Sequence, residues 1–354
     1  MASMGNVPKA VEITGPSSRP FRGRGDPGNW YQAGLGPEKR SRVGNVEDIR
    51  RCRVIREAIR RPGNLLEHKT IALNGVNIHY VEAGQGPVVL LLHGLGSSLD
   101  TWRRNLEPLA NAGFTVLAPD MPGHGDSEKP DDLDYGPRNA VDFTGQFLRA
   151  LGVERASLVG NSAGGLVAAL FALENPEKTG RLALVAPGGI GRQVSWVLRL
   201  MSVPGLGEFL FQRWIYSLMG MNKRVFHEPS SIPDEVLTEM ARVQFLPGST
   251  SCTLHSIRSS INLLGLRRRW RILDRLPQVS SPLMCLWGEE DIVIPVSHAG
   301  WIKDTIPRCL VRTFPQCGHW PHMEKADEFN ALLTLFLQGG LDDQCGSIPG
   351  PVSL

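Results

Sequence analysis

Short apolar runs separated by longer amphipathic segments form the middle of the chain. Val88–Leu92 and Phe114–Ala118 are almost entirely apolar, and the pattern recurs in Ala156–Val159, Leu283–Trp287 and Cys309–Phe314. An apolar run of this length is typical of a strand that is buried on both faces of a parallel sheet. Because helical patterns fill the intervals between the runs, the sequence predicts an α/β fold with a mostly parallel central sheet flanked by helices.

A hairpin and a helix mark the two ends of this region. Lys69–Leu73 and Val76–Val81 are joined by an Asn-Gly pair, which is typical of a two-residue β-turn. Phe329–Leu337 has the apolar spacing of a helix that packs on the sheet. We therefore assign residues 67–190 and 272–340 to one core.

Residues 191–271 break the alternation of strands and helices. This segment is helix-like and rich in large apolar side chains such as Trp196 and Phe209. Arg199 and Pro204 interrupt its apolar runs, so it does not have the composition of a transmembrane span. We interpret it as a helical insertion in the core, whose aromatic side chains either line a pocket or pack within the insertion itself.

The chain extends beyond the core at both ends. Residues 1–66 form a predicted N-terminal extension, whose first part is rich in Gly, Pro, Ser and Arg and is expected to be disordered or irregular. Residues 46–61 have the pattern of a basic amphipathic helix. That helix either touches an anionic membrane surface or packs on the core with its basic face in solvent, and packing is favoured. Residues 341–354 are predicted to be a disordered tail.

A sharp turn with a serine at its centre is the strongest chemical signal in the chain. Gly160-Asn161-Ser162-Ala163-Gly164 lies between a predicted strand and a predicted helix. A G-x-S-x-G turn in this context strains the backbone at the serine, so its neighbours must be small. The turn exposes the hydroxyl at a helix N-terminus, where backbone N–H groups stabilise negative charge. Ser162 is therefore the candidate nucleophile.

A serine nucleophile needs a histidine base, and the histidine needs an acid that orients it. Three acidic residues follow the strand at Leu283–Trp287, and Asp291 is favoured over Glu289 and Glu290, which are expected to face solvent. His319 follows the next predicted strand. Loops at the carboxyl ends of neighbouring parallel strands meet at one edge of a sheet. Ser162, His319 and Asp291 are therefore the predicted catalytic residues.

The order Ser, Asp, His along the chain resembles that of the α/β-hydrolase family. The segment His93–Ser98 also resembles the oxyanion loop of that family, and the likeness extends over roughly residues 66–338. The resemblance implies an α/β-hydrolase fold in which residues 191–271 form a helical cap. It also implies that the backbone N–H groups of Leu95 and Ala163 bind the oxyanion. His93 is interpreted as a structural hydrogen-bonding residue.

A closer resemblance concerns the segment that carries His319. Together with Asn161, it is similar to the carbon–carbon bond hydrolases that act on ring-fission products of aromatic compounds. The loop Gly94-Leu95-Gly96-Ser97 instead resembles that of esterases and lipases. We therefore expect a serine hydrolase (carboxylesterase or lipase-like) that cleaves esters with an apolar part through an acyl-enzyme. The alternatives are a carbon–carbon hydrolase and a non-catalytic ligand-binding receptor on the same fold. Candidate substrate-binding residues are Gly94, Asn161, Trp320 and Arg242.

Composition narrows the remaining possibilities. A formal net charge of +3 does not favour nucleic acid as a partner. The six cysteines include no C-x-x-C pair, and with no secretory signal they indicate free thiols in a reducing compartment such as the cytoplasm. No cofactor is expected, and Pro321 between His319 and His322 argues against a helical metal site. The oligomeric state stays open.

Overall fold

The computed structural model describes residues 66–216 and 225–341, with no side-chain detail for residues 212–216 and 231. The N-terminal extension with its predicted helix at 46–61 and the tail from residue 342 lie outside the described residues. In chain order the strands are β1 (Leu66–Leu73), β2 (Val76–Ala83), β3 (Val88–Leu92), β4 (Thr115–Pro119), β5 (Ala156–Asn161), β6 (Thr179–Val185), β7 (Ile261–Asn262), β8 (Gly265–Leu266), β9 (Leu283–Gly288) and β10 (Leu310–Phe314).

The described helices lie between and after these strands. They are α1 (Arg103–Asn111), α2 (Pro137–Ala150), α3 (Ala163–Glu174), α4 (Trp196–Met201), α5 (Leu206–Tyr216), α6 (Asp234–Phe245), α7 (Ser249–Ser260), α8 (Ser297–Thr305), α9 (Pro321–Glu324) and α10 (Ala326–Leu337). Among the described helices, none combines the length and the apolar character needed to cross a membrane.

Eight strands form one sheet in the order β1-β2-β4-β3-β5-β6-β9-β10. β2 pairs antiparallel with β1 and with β4, and the other neighbours are parallel. The predicted hairpin and the mostly parallel sheet are therefore confirmed. The strand predicted at Cys309–Phe314 is also present, but β10 lies at the edge of the sheet and its middle residues are partly exposed, so it is not a buried strand. Because β5, β6, β9 and β10 are consecutive neighbours, the loops after them open at the same edge of the sheet.

Both faces of the sheet are buried. In β3, Leu90 and Leu92 belong to one apolar core, whereas Val89 and Leu91 belong to the core on the opposite face. Side chains alternate between the two faces of a strand, so an uninterrupted apolar run supplies both cores. Helices α2, α3 and α8 contribute to the first core, and α1 and α10 contribute to the second.

The insertion between β6 and β9 contains helices α4 to α7, as the sequence predicts, and also an element that the sequence did not predict. β7 and β8 form a small antiparallel hairpin with Leu263 and Leu264 at its turn. Leu254 and Ile257 of α7 pack with Met201 and Phe211 in a separate apolar cluster. The domain boundaries of the sequence analysis stay a prediction, but this part of the insertion has a core of its own.

Truncation of Phe329 tests the second core. Phe329 lies on α10 with no exposed surface, so Phe329→Ala should lower the free energy of unfolding by about 3–5 kcal/mol through lost burial and a residual cavity. Leu335 lies on the same helix and is 49% exposed, so Leu335→Ala should change stability by less than about 0.5 kcal/mol. Chemical denaturation of both variants measures the difference, and similar losses would contradict the assignment of this face to the core.

Candidate active site

The turn at Ser162 has the strained geometry that the sequence predicts. Ser162 lies between β5 and α3 with φ 55° and ψ −116°. A Cβ atom added at Gly160 would lie 2.3 Å from the carbonyl oxygen of Gly164, and one added at Gly164 would lie 2.3 Å from that of Leu92. Because the backbone of the turn comes this close to its neighbours, only glycine fits at these two positions. The turn presents the Ser162 side chain to a cavity.

His319 and Asp291 form the pair that the sequence predicts. His319 Nδ1 lies 2.7 Å from Asp291 Oδ2, and both side chains are almost completely buried. Asp291 Oδ1 accepts hydrogen bonds from the amides of Val293 (2.8 Å) and Ile294 (2.9 Å). The carboxylate is therefore fixed by its own loop, and it holds the ring of His319 in one orientation.

The two neighbouring acids have other partners. Glu289 is exposed and accepts a hydrogen bond from the Thr313 hydroxyl at 2.8 Å. Glu290 is also exposed and accepts one from the amide of Cys317 at 2.8 Å, which lowers the pKa of Glu290. Asp291 is thus the acid of this loop that reaches His319, while Glu290 holds the loop in which His319 lies.

The segment that follows β3 lies against the serine turn. A Cβ atom added at Gly94 would lie 3.3 Å from Ser162 Cβ, so glycine allows this close approach. Ala163 is the first residue of α3, where a backbone N–H has no acceptor within the helix. Leu95 and Ala163 both line the cavity that contains Ser162. Their N–H groups stay our proposed oxyanion donors.

His93 has a structural place beside this loop. Its Nε2 accepts a hydrogen bond from the amide of Met121 at 3.0 Å, so Nδ1 carries the proton that it shares with the carbonyl of Gly94 at 2.8 Å. The ring is fully buried, and burial lowers its pKa. A neutral imidazole that uses both nitrogens in this way orients the loop.

Two cavities meet at the candidate site. The first, of about 380 Å³, is lined by Ser162 and His319 and by mainly apolar side chains of the core and the insertion. The second, of about 100 Å³, lies between the segment 95–98 and helices α6 and α7. Four side chains line both cavities, namely Leu95, Leu198, Val225 and Trp320.

The second cavity was not foreseen from the sequence. Besides apolar side chains it is lined by the polar side chains of Ser97, Ser98, Gln244 and Thr253. The buried hydroxyl of Ser97 has no hydrogen-bond partner within residues 66–216 and 225–341. Residues of seven separate stretches of the chain form this lining, so no local pattern in the sequence could have indicated it.

Two of the predicted substrate-binding residues line neither cavity. Asn161 is buried below the turn, where its Nδ2 donates to the carbonyls of Val185 (3.1 Å) and His319 (3.4 Å). Its amide therefore connects loops in this structure, and its predicted contact with substrate stays a prediction. Gly94 lines the first cavity and Trp320 lines both, so these two predictions stay open.

Arg242 also contacts groups other than those of a cavity, and its predicted role in substrate binding stays a prediction. Its guanidinium group binds Glu239 at 2.7 Å and Asp126 at 2.9 Å, and it lines neither cavity. Glu239 belongs to the same helix, α6, and Asp126 belongs to the loop after β4. Arg242 therefore joins the insertion to the core. A guanidinium group is stabilised more by two paired carboxylates than by an apolar cavity that offers it no partner.

One group of possible metal ligands occurs in the described part of the chain. Single ligand atoms of His79, Asp120 and Asp126 lie within 4.8 Å of one another. His79 Nδ1 already bonds Asp120 Oδ2 at 2.7 Å, and Arg242 compensates the charge of Asp126. His322, on helix α9, is fully buried, which lowers its pKa to about 3, and its ring lies 4.3 Å from that of Trp102. These contacts are those of structural residues.

Comparison with known proteins agrees with this geometry. The model of the α/β-hydrolase fold family matches residues 87–326. The chain belongs to the α/β-hydrolase fold family. Its order of strands and the helical insertion fit that assignment, so the predicted fold class is confirmed.

Two curated relatives of this α/β-hydrolase carry the names of carbon–carbon hydrolases. A 2-hydroxy-6-oxo-6-phenylhexa-2,4-dienoate hydrolase of Burkholderia cepacia is 34% identical over 273 residues, which cover 76% of this chain and 93% of that protein. A 2-hydroxy-6-oxononadienedioate/2-hydroxy-6-oxononatrienedioate hydrolase of Comamonas testosteroni is 33% identical over the same shares. This protein is thus similar to hydrolases, and their names match the carbon–carbon alternative better than the ester prediction.

A solved structure is similar over a larger share of the chain. The crystal structure of a membrane phospholipase A superposes with a TM-score of 0.69 and 27% identity, covering 83% of this chain and 91% of that one. The comparisons together establish a hydrolase of the α/β-hydrolase fold.

Replacement of Ser162 tests the nucleophile. Ser162→Ala should abolish covalent labelling by an organophosphate and lower kcat roughly 10⁴-fold or more, because no other group at the turn can form the acyl-enzyme. Mass spectrometry of the labelled protein detects the adduct, and circular dichroism checks that the fold persists. An adduct that still forms in Ser162→Ala would show that a different residue is the nucleophile.

Replacement of Asp291 tests the acid. Asp291→Asn should lower kcat roughly 10³–10⁴-fold, because an amide favours the wrong tautomer of His319 and does not compensate the charge of its imidazolium form. Glu289→Gln is the matched control in the same loop and should change kcat less than about threefold, since Glu289 contacts Thr313 instead. Steady-state kinetics decide between them, and a mild Asp291→Asn beside a damaging Glu290→Gln would reverse the assignment.

Proposed function

We propose that this α/β-hydrolase is a serine hydrolase that cleaves a carbon–carbon bond next to a carbonyl group, as in ring-fission products of aromatic compounds. The observation that carries the proposal is the strained Ser162 turn beside the His319–Asp291 pair, with Ser162 and His319 lining one cavity. The names of the curated relatives favour this bond over the ester that the sequence alone indicated.

In the proposed reaction Ser162 Oγ attacks the carbonyl carbon, and Nε2 of His319 takes the serine proton. The N–H groups of Leu95 and Ala163 stabilise the oxyanion. The carbon–carbon bond then breaks, and its electron pair passes into the conjugated keto-acid fragment, which receives the proton from His319. A water molecule, deprotonated by His319, hydrolyses the acyl-serine, releases a carboxylic acid and restores Ser162. Asp291 stabilises the imidazolium in both halves of the reaction.

The two cavities support a substrate with unlike ends. The apolar lining of the first cavity suits an aryl or alkyl group on the carbonyl carbon. The second cavity offers the hydroxyls of Ser97, Ser98 and Thr253 and the amide of Gln244. Buried polar groups need partners, and the Ser97 hydroxyl has none within the described residues. In the proposal, the second cavity accepts the polar acid end of the substrate.

An ester hydrolase is the second candidate, and one observation favours it. Among the side chains that the structure describes, which exclude those of residues 212–224, no lysine or arginine lines either cavity. A carboxylate that is buried without a cation loses much of its solvation energy, so a neutral ester would enter these cavities at lower cost. The structural similarity to a protein named as a membrane phospholipase A supports this candidate as well.

Competition between two substrates tests the proposal. The wild-type protein should turn over an aryl-substituted ring-fission dienoate with a higher kcat/KM than a neutral aryl ester of similar size. Ser97→Ala should raise KM for the dienoate roughly tenfold, as expected for the loss of one hydrogen bond to a charged group. The same variant should leave KM for the neutral ester within about twofold, since that ester has no acid end for the second cavity. Steady-state kinetics on both substrates give these values.

Ser260→Ala is the matched control for this experiment. Ser260 lines the first cavity, so removal of its hydroxyl should change the two substrates by similar factors. If the ester is turned over faster than the dienoate, and Ser97→Ala changes neither, the second candidate replaces the first. Ser162→Ala should abolish the turnover of both substrates. A result in which the wild-type protein cleaves only one of the two substrates therefore tests the type of bond and not the identity of the nucleophile.

A further inference from the structure

Four large apolar side chains are exposed around the mouth of the first cavity. The exposed fractions are 64% for Trp196, 51% for Leu263, 68% for Leu264 and 60% for Ile292. Trp196 and Ile292 also line the first cavity, so they lie where that cavity opens to solvent. We call these four side chains the apolar rim. A contiguous exposed apolar surface beside a cavity marks a surface that meets another apolar phase or molecule.

Hydrogen bonds link the segments that carry the apolar rim, two of which belong to the insertion and one to the core loop after β9. Leu263 and Leu264 form the turn between β7 and β8. Arg199 Nε donates to the carbonyl of Leu263 at 2.6 Å, which ties this turn to α4, the helix that begins at Trp196. The amide of Ser195 donates to the carbonyl of Val293 at 2.8 Å, which connects the start of α4 to the loop that carries Ile292. These contacts fix the positions of the segments that carry the rim relative to one another.

Two of the three segments that carry the rim are strongly basic, whereas the third, which carries Ile292, also contains Glu289, Glu290 and Asp291. Residues 191–206 and 258–271 contain seven arginines and no aspartate or glutamate, in a chain whose net charge is only +3. The side chains of Arg199, Arg267 and Arg269 donate to backbone carbonyls, which carry no formal charge. Of the seven, Arg258 pairs with Glu208. Much of the positive charge of these segments is thus available to an anionic partner.

The chemistry of this face fits an anionic lipid surface. Tryptophan is favoured at the headgroup level of a bilayer, and aliphatic side chains reach the acyl boundary below it. Guanidinium groups bind phosphate oxygens in bidentate fashion. A second copy of the chain fits less well, because a twofold contact places the same patch of both copies together and would bring arginines against arginines.

We propose that the apolar rim docks on the surface of an anionic phospholipid bilayer, with the arginines of residues 191–206 and 258–271 on the headgroup phosphates. In this orientation the mouth of the first cavity faces the membrane. An apolar substrate then passes from the lipid to Ser162 without crossing water. The docking does not depend on which bond Ser162 cleaves.

Vesicle co-sedimentation of the full chain tests the docking. Wild-type protein should partition onto phosphatidylcholine vesicles that contain roughly one-third phosphatidylglycerol, and far less onto vesicles of phosphatidylcholine alone. Leu263→Ser with Leu264→Ser should lower the partition coefficient at least about tenfold, and Arg268→Ala with Arg269→Ala should lower it by a similar factor. Neither leucine lines a cavity, so the double serine variant should keep the wild-type turnover of a water-soluble substrate.

Leu335→Ser is the matched control, because Leu335 is a comparably exposed leucine on the core helix α10. Its partition coefficient should stay within about twofold of the wild-type value. The proposal is overturned if wild-type protein does not bind the anionic vesicles, or if binding persists in the double serine variant and thus resides elsewhere in the chain. It is also overturned if light scattering shows a dimer that the double serine variant dissociates, since a second copy would then be the occupant.

Discussion

The position of Ser162 depends on a single backbone constraint, a non-glycine residue held at positive φ where a strand becomes a helix. A conformation of this kind costs on the order of 1–3 kcal/mol and persists only when its surroundings determine it. Three backbone hydrogen bonds hold Ser162 in this conformation. The amide of Ser162 donates to Val185 at the end of β6, and its carbonyl accepts from the amides of Leu166 and Gly188. The sheet and the first turn of α3 thus stabilise the strain that exposes the hydroxyl.

The same arrangement positions the acid and the base. β9 lies next to β6, and β10 lies next to β9, so the loops with Asp291 and His319 end beside the serine turn. Asn161 connects them, because its amide bonds the carbonyls of both Val185 and His319. The amide of His319 in turn donates to the carbonyl of Val225 in the insertion at 2.7 Å. The histidine is therefore held from the core and from the insertion together.

The core and the His319–Asp291 pair could be predicted from the sequence because their signals are local. An uninterrupted apolar run such as Val88–Leu92 indicates a two-sided strand, and the glycines around Ser162 indicate a tight turn. The partners of Arg242 could not be predicted from such local signals. Its place in the chain suited a pocket cation, but its partners Glu239 and Asp126 are chosen in three dimensions, and 116 residues separate Asp126 from Arg242. The second cavity escaped prediction for the same reason, since its lining combines distant segments.

The division between core and insertion sets how substrate choice can vary in this protein. The groups proposed to do the chemistry, Ser162, Asp291 and His319, lie in loops of the sheet, whereas much of the lining of both cavities comes from the insertion. A substitution in that lining changes the free energy with which a given substrate moves from water into the cavity. The same substitution leaves the turn at Ser162 intact. Arg242 illustrates the consequence. Because its charge is used to fasten α6 to the core, Arg242 contributes no cation to the cavities, and a polar end of a substrate would meet neutral hydrogen-bonding groups such as Ser97. The interaction that docks the insertion thereby also limits the charge that its cavities can accept.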